Sequence, residues 1–311
     1  MKIRNYKLSF FVLANFVLFS SILIGRTPKQ LDFLKPAVRD LCESFGNLLV
    51  HGEELAENNN SQSDLRIIKI PGATGIYLAS NSFQITPYTW TSQNGLLQAY
   101  YDFQKENNHV LAAINGTFFS PTHLLGPIIV NGLSPAGIKQ LISKHSRCFI
   151  AVYENSDTKT RWVLGETSAS SRKILSNQGK DLVFNRFINS NEKLLHLIGG
   201  GGWIIRNGKN VHLESYTRQK LNFRKVDQDN RHSVIAMDKS DGLYLMVFDH
   251  GQNLNAVAEK LLNKDLFSGV TDAIFLDGGS SSAIVLNGNY LVQPLYFFDK
   301  SRFSALMAIK R

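Results

Sequence analysis

The sequence predicts an α+β (mixed α/β) fold: a single strand-rich domain with a mixed sheet and a few packed helices, preceded by an N-terminal hydrophobic anchor. Three observations carry that expectation. From residue 65 onward, short apolar runs alternate with Gly, Asn and Asp turn signals. Only a few stretches place apolar residues at helical spacing. The regular strand–helix alternation of a doubly wound sheet is missing, as is any repeat of 20–50 residues.

The first element is the uncharged run Leu8–Gly25, preceded by Lys2, Arg4 and Lys7. That layout belongs to a secretory signal or a signal anchor. Ser20 and Ser21 are followed by Ile22, Leu23 and Ile24, which leaves no good cleavage site, so an uncleaved anchor is favoured. The basic flank argues against a buried soluble helix. Either favoured reading places the rest of the chain outside the cytoplasm, in the cell envelope, membrane-anchored or secreted. Residues 1–30 are therefore the signal or anchor. Residues 31–64 are a helix (Pro36–Glu57, with Val38, Leu41, Phe45, Leu48 and Leu49 in phase) and the polar tract Asn58–Asp64. The main domain is 65–311.

Expected strands in that domain are Arg66–Ile70, His109–Ile114, Arg147–Tyr153, Trp203–Ile205, Ser233–Met237, Leu243–Phe248, Ala273–Leu276, Ala283–Leu286 and Ser304–Ile309. Asn-Gly at 131–132, 207–208 and 287–288, and Asp241-Gly242, read as hairpin turns. Leu96–Lys105 and Leu254–Lys264 read as amphipathic helices.

With 43% apolar and 19% charged residues the chain is not disordered. Its 23 Gly and 8 Pro are too few for a collagen-like or low-complexity protein. Two cysteines cannot build a disulfide scaffold or a four-thiolate zinc site. Cys42 and Cys148 could pair in an oxidising compartment or stay as buried thiols. The net charge of +9 points to nucleic acid until it is located: residues 1–40 hold seven basic residues against Asp32 and Asp40. A basic excess gathered at the N-terminus fits membrane topology, not a phosphate groove, and no nucleic-acid partner is expected.

Four places depart from core patterning. Ala273–Ser282 is an apolar strand ending in Asp277, followed by Gly278, Gly279 and the hydroxyls of Ser280, Ser281 and Ser282. Glycines permit close backbone approach, and successive N–H groups with hydroxyls can cradle anionic oxygens; a tight connection with Asp277 bonding the backbone explains the same residues. Ile114–Phe119 contains Asn115-Gly116, which taken alone reads as a hairpin turn. Gly199–Gly202 implies a special backbone path, close ligand approach or a flexible loop. Asn230–Ser233 pairs through Asp241-Gly242 with the strand ending Phe248-Asp249-His250-Gly251, bringing Arg231 and His232 near Asp249 and His250. Arg suits a phosphate; a surface salt bridge is the bland alternative. No His-x-x-x-His, Cys-x-x-Cys, Gly-x-Ser-x-Gly, Walker-type or dinucleotide motif occurs, so no metal or cofactor is expected.

In this order the four pieces resemble the phosphodiester glycosidase family, over roughly residues 65–311, as a domain like N-acetylglucosamine-1-phosphodiester α-N-acetylglucosaminidase. The family pattern of Asn-Gly-Gly-Phe-Phe, a glycine-containing strand pair, Arg at a strand start, a strand ending Asp-Gly, a helix and Leu-Asp-Gly-Gly-Gly-Ser-Ser is met here by Asn115–Phe119, Gly199 through Lys209, Arg231, Phe248–Gly251, Leu254–Leu262 and Leu276–Ser282. Thr117 stands for the second glycine and Ser280 for the third glycine of the last motif. His232-Ser233 follows Arg231, and His250 follows Asp249 where the family has Gly-Arg.

The resemblance implies a hydrolase that cleaves a glycosyl-1-phosphodiester in an extracytoplasmic glycan, such as an exopolysaccharide. Asp277 would activate water or support the oxocarbenium-like sugar, with Asp249 as the other carboxylate and Arg231 stabilising the departing phosphate. Asn115, Gly116, Gly200, Gly201, His232, Gly278, Gly279, Ser280 and Ser281 would bind substrate. Two other readings stand beside it: a non-catalytic envelope module binding anionic glycans, and an esterase using Ser280–Ser282.

Overall fold

The computed structural model describes residues 64–91, 95–120, 122–136, 140, 145–167, 191–220, 230–249, 251–295 and 302–311. The chain divides between Gln62 and Ser63, and every described residue belongs to the second unit. The expected anchor, the helix at 36–57, Cys42 and His250 lie outside the described residues. Among the described residues, no helix is long and apolar enough to cross a membrane.

In chain order the elements begin β1 (Leu65–Ile70), β2 (Ala73–Leu78), β3 (Phe83–Thr91), α1 (Leu96–Glu106), β4 (Val110–Asn115) and β5 (Ile128–Ile129). They continue with β6 (Cys148–Glu154), β7 (Thr160–Glu166), β8 (Lys193–Gly199), β9 (Trp203–Arg206), β10 (Lys209–Asn210) and α2 (His212–Arg218). The last group is β11 (His232–Asp238), β12 (Leu243–Phe248), α3 (Leu254–Leu262), β13 (Val270–Phe275), β14 (Ile284–Leu286), β15 (Asn289–Val292) and β16 (Arg302–Lys310).

Three sheets result, with orders β1-β2-β12-β11-β13-β9-β10, β15-β14-β4-β16-β3 and β5-β8-β6-β7. The strand-rich architecture with a few helices is as expected, but the single mixed sheet is not: every ladder between these strands is antiparallel. Short turns explain this. Asn131-Gly132, Asn207-Gly208 and Asn287-Gly288 have positive φ at both residues, which matches the twist of antiparallel hairpins, and Asp241 has φ 59°.

The inner faces of all three sheets share one core, including Ile76, Ile85, Ile114, Ile150, Leu245, Ile274 and Leu306. The outer faces are covered separately. Helix α3 packs Leu254, Val257 and Leu261 on Tyr244, Met246 and Phe248 of the seven-stranded sheet. Helix α1 packs Leu96, Tyr100 and Phe103 on the five-stranded sheet. Strand β12 is thus buried on both faces, which is why its sequence is a continuous apolar run instead of an alternating one. Strands β2, β3, β5, β7, β8, β10 and β15 are not among the expected strands. In β3 the obstacle is Pro87, which cannot donate to a ladder; β3 lies at a sheet edge, where that donor is not required.

One buried charge holds two sheets together. Glu166, at the end of β7, receives both guanidinium nitrogens of Arg218 from α2 (Nη2 to Oε2 2.9 Å) and the indole N–H of Trp203 from β9 at 3.1 Å. Arg206 adds a looser contact at 3.6 Å. Burial alone would raise this carboxyl, but the hydrogen bonds, chiefly from Arg218, hold it down at about 2. Its depressed pKa means stability that is present above the ordinary value of 4.5 and lost as pH falls toward 2. Glu166→Gln is expected to cost about 2–3 kcal/mol in urea unfolding at pH 7, the lower end because Arg218 stays partly hydrated. The difference from wild type should shrink as pH falls below 4.5 and approach zero only at and below about 2.

Candidate functional site

The C-terminal end of β13 delivers Asp277 to a point where two sheets meet. Leu276 N–H donates to Ser233 O of β11 (2.8 Å), and Asp277 N–H donates to Gly116 O just beyond β4 (3.1 Å). The next residues clasp the start of β11: Gly279 N–H donates to Arg231 O at 2.8 Å. Gly279 has φ +66°, which disfavours any side chain, and a Cβ on Gly278 would come 2.8 Å from Arg231 O. A single 3-10 turn, Gly279–Ser281, then leads to β14.

Asn115 sits beneath this loop. Its side-chain N–H donates to Asp277 O (2.6 Å), and its Oδ1 accepts from Ser233 Oγ (2.7 Å) and Ala283 N–H (3.0 Å). The amide therefore joins β4, β11 and both ends of the Asp277 loop. The hairpin-turn reading of Asn115-Gly116 is corrected: neither residue has positive φ, and Asn115 closes β4. Gly116 is there for close packing, because a Cβ would lie 2.5 Å from Ser304 Oγ and 2.6 Å from Ile198 Cδ1. Its N–H donates to Ser304 O at 2.8 Å. Thr117 is buried against Gly126, its N–H donating to Ser304 Oγ (2.9 Å).

Arg231 is 11% exposed in its side chain and Asp249 is 55% exposed. The guanidinium donates to Gln293 O at 2.7 Å, and its other terminal nitrogen is 3.9 Å from Asp249 Oδ1. Asp249 thus stands at the rim as a loose partner of Arg231. His232 is buried with Nε2 2.8 Å from Gln252 O, in the turn before α3. Ser280 O accepts from Leu295 N–H at 3.0 Å, so the segment after β15 crosses the loop.

Gly200 and Gly201 are placed elsewhere. They carry the chain from β8 to β9, between two sheets, with both residues buried. Gly200 N–H donates to Cys148 O and Gly201 N–H to Phe275 O, each at 2.8 Å. A Cβ at Gly201 would overlap the Phe275 ring. Their amides are used by the fold, so the structure does not bring them to the Asp277 loop as ligand donors. Cys148 beside them is a free buried thiol, accepting from Gln219 Nε2 at 3.4 Å.

The electrostatics single out Asp277. Residual solvent access remains at the residue, yet the protein around its carboxyl removes enough water to push its pKa up to about 7. Hydrogen bonds from the Ser281 hydroxyl and Gly278 N–H favour the carboxylate and oppose that rise. A carboxyl titrating near neutrality, fixed at a strand end beside an Arg-bearing clasp, suits general acid–base work.

Four residues that matter here were not among the expected site residues: Ser233, Ser304, Gln252 and Gln293. Ser233 and Ser304 lie second and third in β11 and β16, just ahead of each strand's apolar run, and are almost fully buried. A hydroxyl immediately before an apolar run is the one sequence signal that marks them. Gln293 and Gln252 act mainly through backbone carbonyls, which leave no trace in the side-chain sequence.

Asn115 of β4, Ser233 of β11 and the backbone of Arg231, distant in sequence, thus meet at the Asp277 loop. The chain belongs to the phosphodiester glycosidase family, whose sequence model matches residues 108–304, more than half of the chain. Among solved structures it is similar to the catalytic domain of zebrafish N-acetylglucosamine-1-phosphodiester α-N-acetylglucosaminidase, auto-inhibited by its pro-peptide. That likeness has 22% identity and a TM-score of 0.53, covering 82% of this chain and 86% of that one. A putative exported protein from Burkholderia pseudomallei is similar at 11% identity and a TM-score of 0.52, covering 76% and 73%. At these identities the likeness is one of fold. No curated protein matches the sequence.

Proposed function

We propose that the protein hydrolyses a glycosyl-1-phosphodiester in an extracytoplasmic glycan, from an envelope position set by its N-terminal segment. The observation that carries this reading is the Asp277 carboxyl, raised to about 7 on the loop clasped by Arg231. Asp277 as carboxylate accepts a proton from water as the water oxygen bonds the anomeric carbon. The bond from that carbon to the phosphate oxygen breaks, and the electron pair leaves with the phosphate monoester. A monoester has a second pKa near ~6, so its departure needs charge stabilisation more than protonation. Arg231 supplies a forked cation for it, and Asp249 and Gln293 O hold that fork in place. Asn115 sets the Asp277 backbone, a positioning role and not the sugar contact the motif first implies.

The test is release of free sugar from a sugar 1-phosphodiester by the full-length protein. Arg231→Ala is expected to lower kcat roughly 10²–10³-fold, as for loss of an oxyanion donor, with a smaller change in KM. Release unaffected by Arg231→Ala would remove the assignment. Saturable binding with no release by wild type would favour the non-catalytic envelope module.

A further inference from the structure

Two basic side chains face each other at the end of β9 that lies away from Asp277. Arg206 closes β9, Lys209 opens β10, and the tight turn Asn207-Gly208 sets them directly opposite in register. Residues so opposed in an antiparallel pair project to one face, where like charges repel. Among the described residues, neither Arg206 nor Lys209 donates a side-chain hydrogen bond. Arg206 comes only to 3.6 Å from Glu166 Oε2 and lies over the Trp203 ring at 5.2 Å. A third cation arrives from α2. Val211 N–H donates to Ile204 O and Trp203 N–H to Ser215 Oγ, each at 2.9 Å, which lays that helix along β9. Arg218, in the next turn after Ser215, then opens onto the same hollow. Arg206, Lys209 and Arg218 line a cavity of about 200 Å³ with Val211, Ser215 and Glu214. At ~30 Å³ per water that is room for roughly six or seven waters.

We propose that this cavity is a second anion site, taking a phosphate monoester between Arg206, Lys209 and Arg218. Glu166, 5% exposed in its side chain, turns its charge on Arg218 from behind, and Glu214, 74% exposed, stands at the rim 4.0 Å from Arg218 Nε. Three cations against two carboxylates leave the cluster net positive. A planar carboxylate is satisfied by one guanidinium, as Glu166 is by Arg218. Cations from three separate elements suit a tetrahedral dianion, whose oxygens accept from several directions. Such an anion would also screen the repulsion between Arg206 and Lys209. The cavity is not the Asp277 site. Gly208 N–H donates to Thr271 O at 2.7 Å, at the start of β13, and the extended chain from Thr271 to Asp277 covers roughly 20 Å. The inference goes beyond the hydrolase reading and does not depend on it.

The test uses full-length Arg231→Ala protein, so that the cation assigned to the scissile phosphate cannot contribute. Calorimetric titration with glucose 6-phosphate should show saturable binding, weakened roughly tenfold by adding Lys209→Gln or Arg206→Gln. Lys209 is exposed on its hairpin, so that variant tests the site without disturbing the core. Adding Glu214→Gln should instead tighten binding about twofold, because it removes the repelling rim carboxylate. The same titration with inorganic phosphate separates the two sources of the group. Equal affinity supports phosphate itself as the occupant, and weaker affinity than the ester supports contacts to the carrier as well. Hydrogen exchange locates the ligand: saturation with glucose 6-phosphate should slow the amides of 203–218 and leave those of 277–283 unchanged. No saturable binding of either compound up to about 10 mM overturns the site. So does affinity unchanged by both Lys209→Gln and Arg206→Gln, or slowing confined to 277–283. None of these failures touches the hydrolase reading, which is tested by sugar release.

Discussion

Asp277→Asn is expected to slow sugar release by roughly 10²–10⁴-fold while making the folded protein more stable above pH 7. The two effects have one cause. The carboxyl is raised from 3.8 to about 7 by desolvation, so the folded state resists its ionisation. A raised pKa contributes stability that is complete below the unfolded value and is lost as pH climbs through the folded one. At pH 8 the ionised side chain therefore costs the fold up to about 4 kcal/mol, the shift converted at ~1.4 kcal/mol per pH unit. Asn carries no charge and removes that cost. Urea unfolding should show the variant more stable than wild type at pH 8, with the gap closing toward pH 4. Loss of a general base typically lowers rate by roughly 10²–10⁴-fold. In wild type, kcat/KM should rise with pH to a plateau above about 7 and lose that limb in the variant. A variant as active as wild type, or less stable at pH 8, would contradict the account.

Asn115→Ala is expected to be the most damaging single change in fold and activity together. It removes one donor and one doubly used acceptor from a buried position, leaving the Ser233 hydroxyl, the Ala283 N–H and the Asp277 carbonyl without their partner. Each such orphan costs about 1–3 kcal/mol, so about 3–9 kcal/mol in all is expected from denaturant unfolding. Hydrolysis should fall as well, because the Asp277 loop loses its anchor. The effect of a positioning residue should fall mainly on kcat, with KM little changed. Asn115→Asp separates the roles: Oδ1 can still accept from Ser233 and Ala283, while donation to Asp277 O is lost. Its defect should lie between wild type and Ala.

Much of the site could be read along the chain because its parts are short polar segments after apolar strands. Asp277, Gly278 and Gly279 follow such a strand, and Arg231 precedes one; these breaks in patterning need no knowledge of the partner strand. The Asn-Gly hairpins were equally legible, since left-handed backbone is a local demand. Asn115-Gly116 shows where local reasoning fails. The same dipeptide is a tight turn at 131, 207 and 287, yet at 115 it is a crosslink and a close approach, because Ser304, Ile198 and Ser233 arrive from remote sequence. Gly200 and Gly201 mislead for a related reason. Glycine marks close backbone approach, but whether to a ligand or to Phe275 depends on what the fold brings near.

The sequence by itself determined the strand-rich class, the hairpins, the two amphipathic helices and the ordered motifs, because each follows from propensity and periodicity within a few residues. Only the tertiary structure decided how the strands partition into three antiparallel sheets, that Asn115 supports Asp277 from below, and that Asp277 titrates near 7. Sheet partition depends on pairings between distant segments, and a pKa on the water that those segments exclude. Neither quantity is a property of any short stretch of chain.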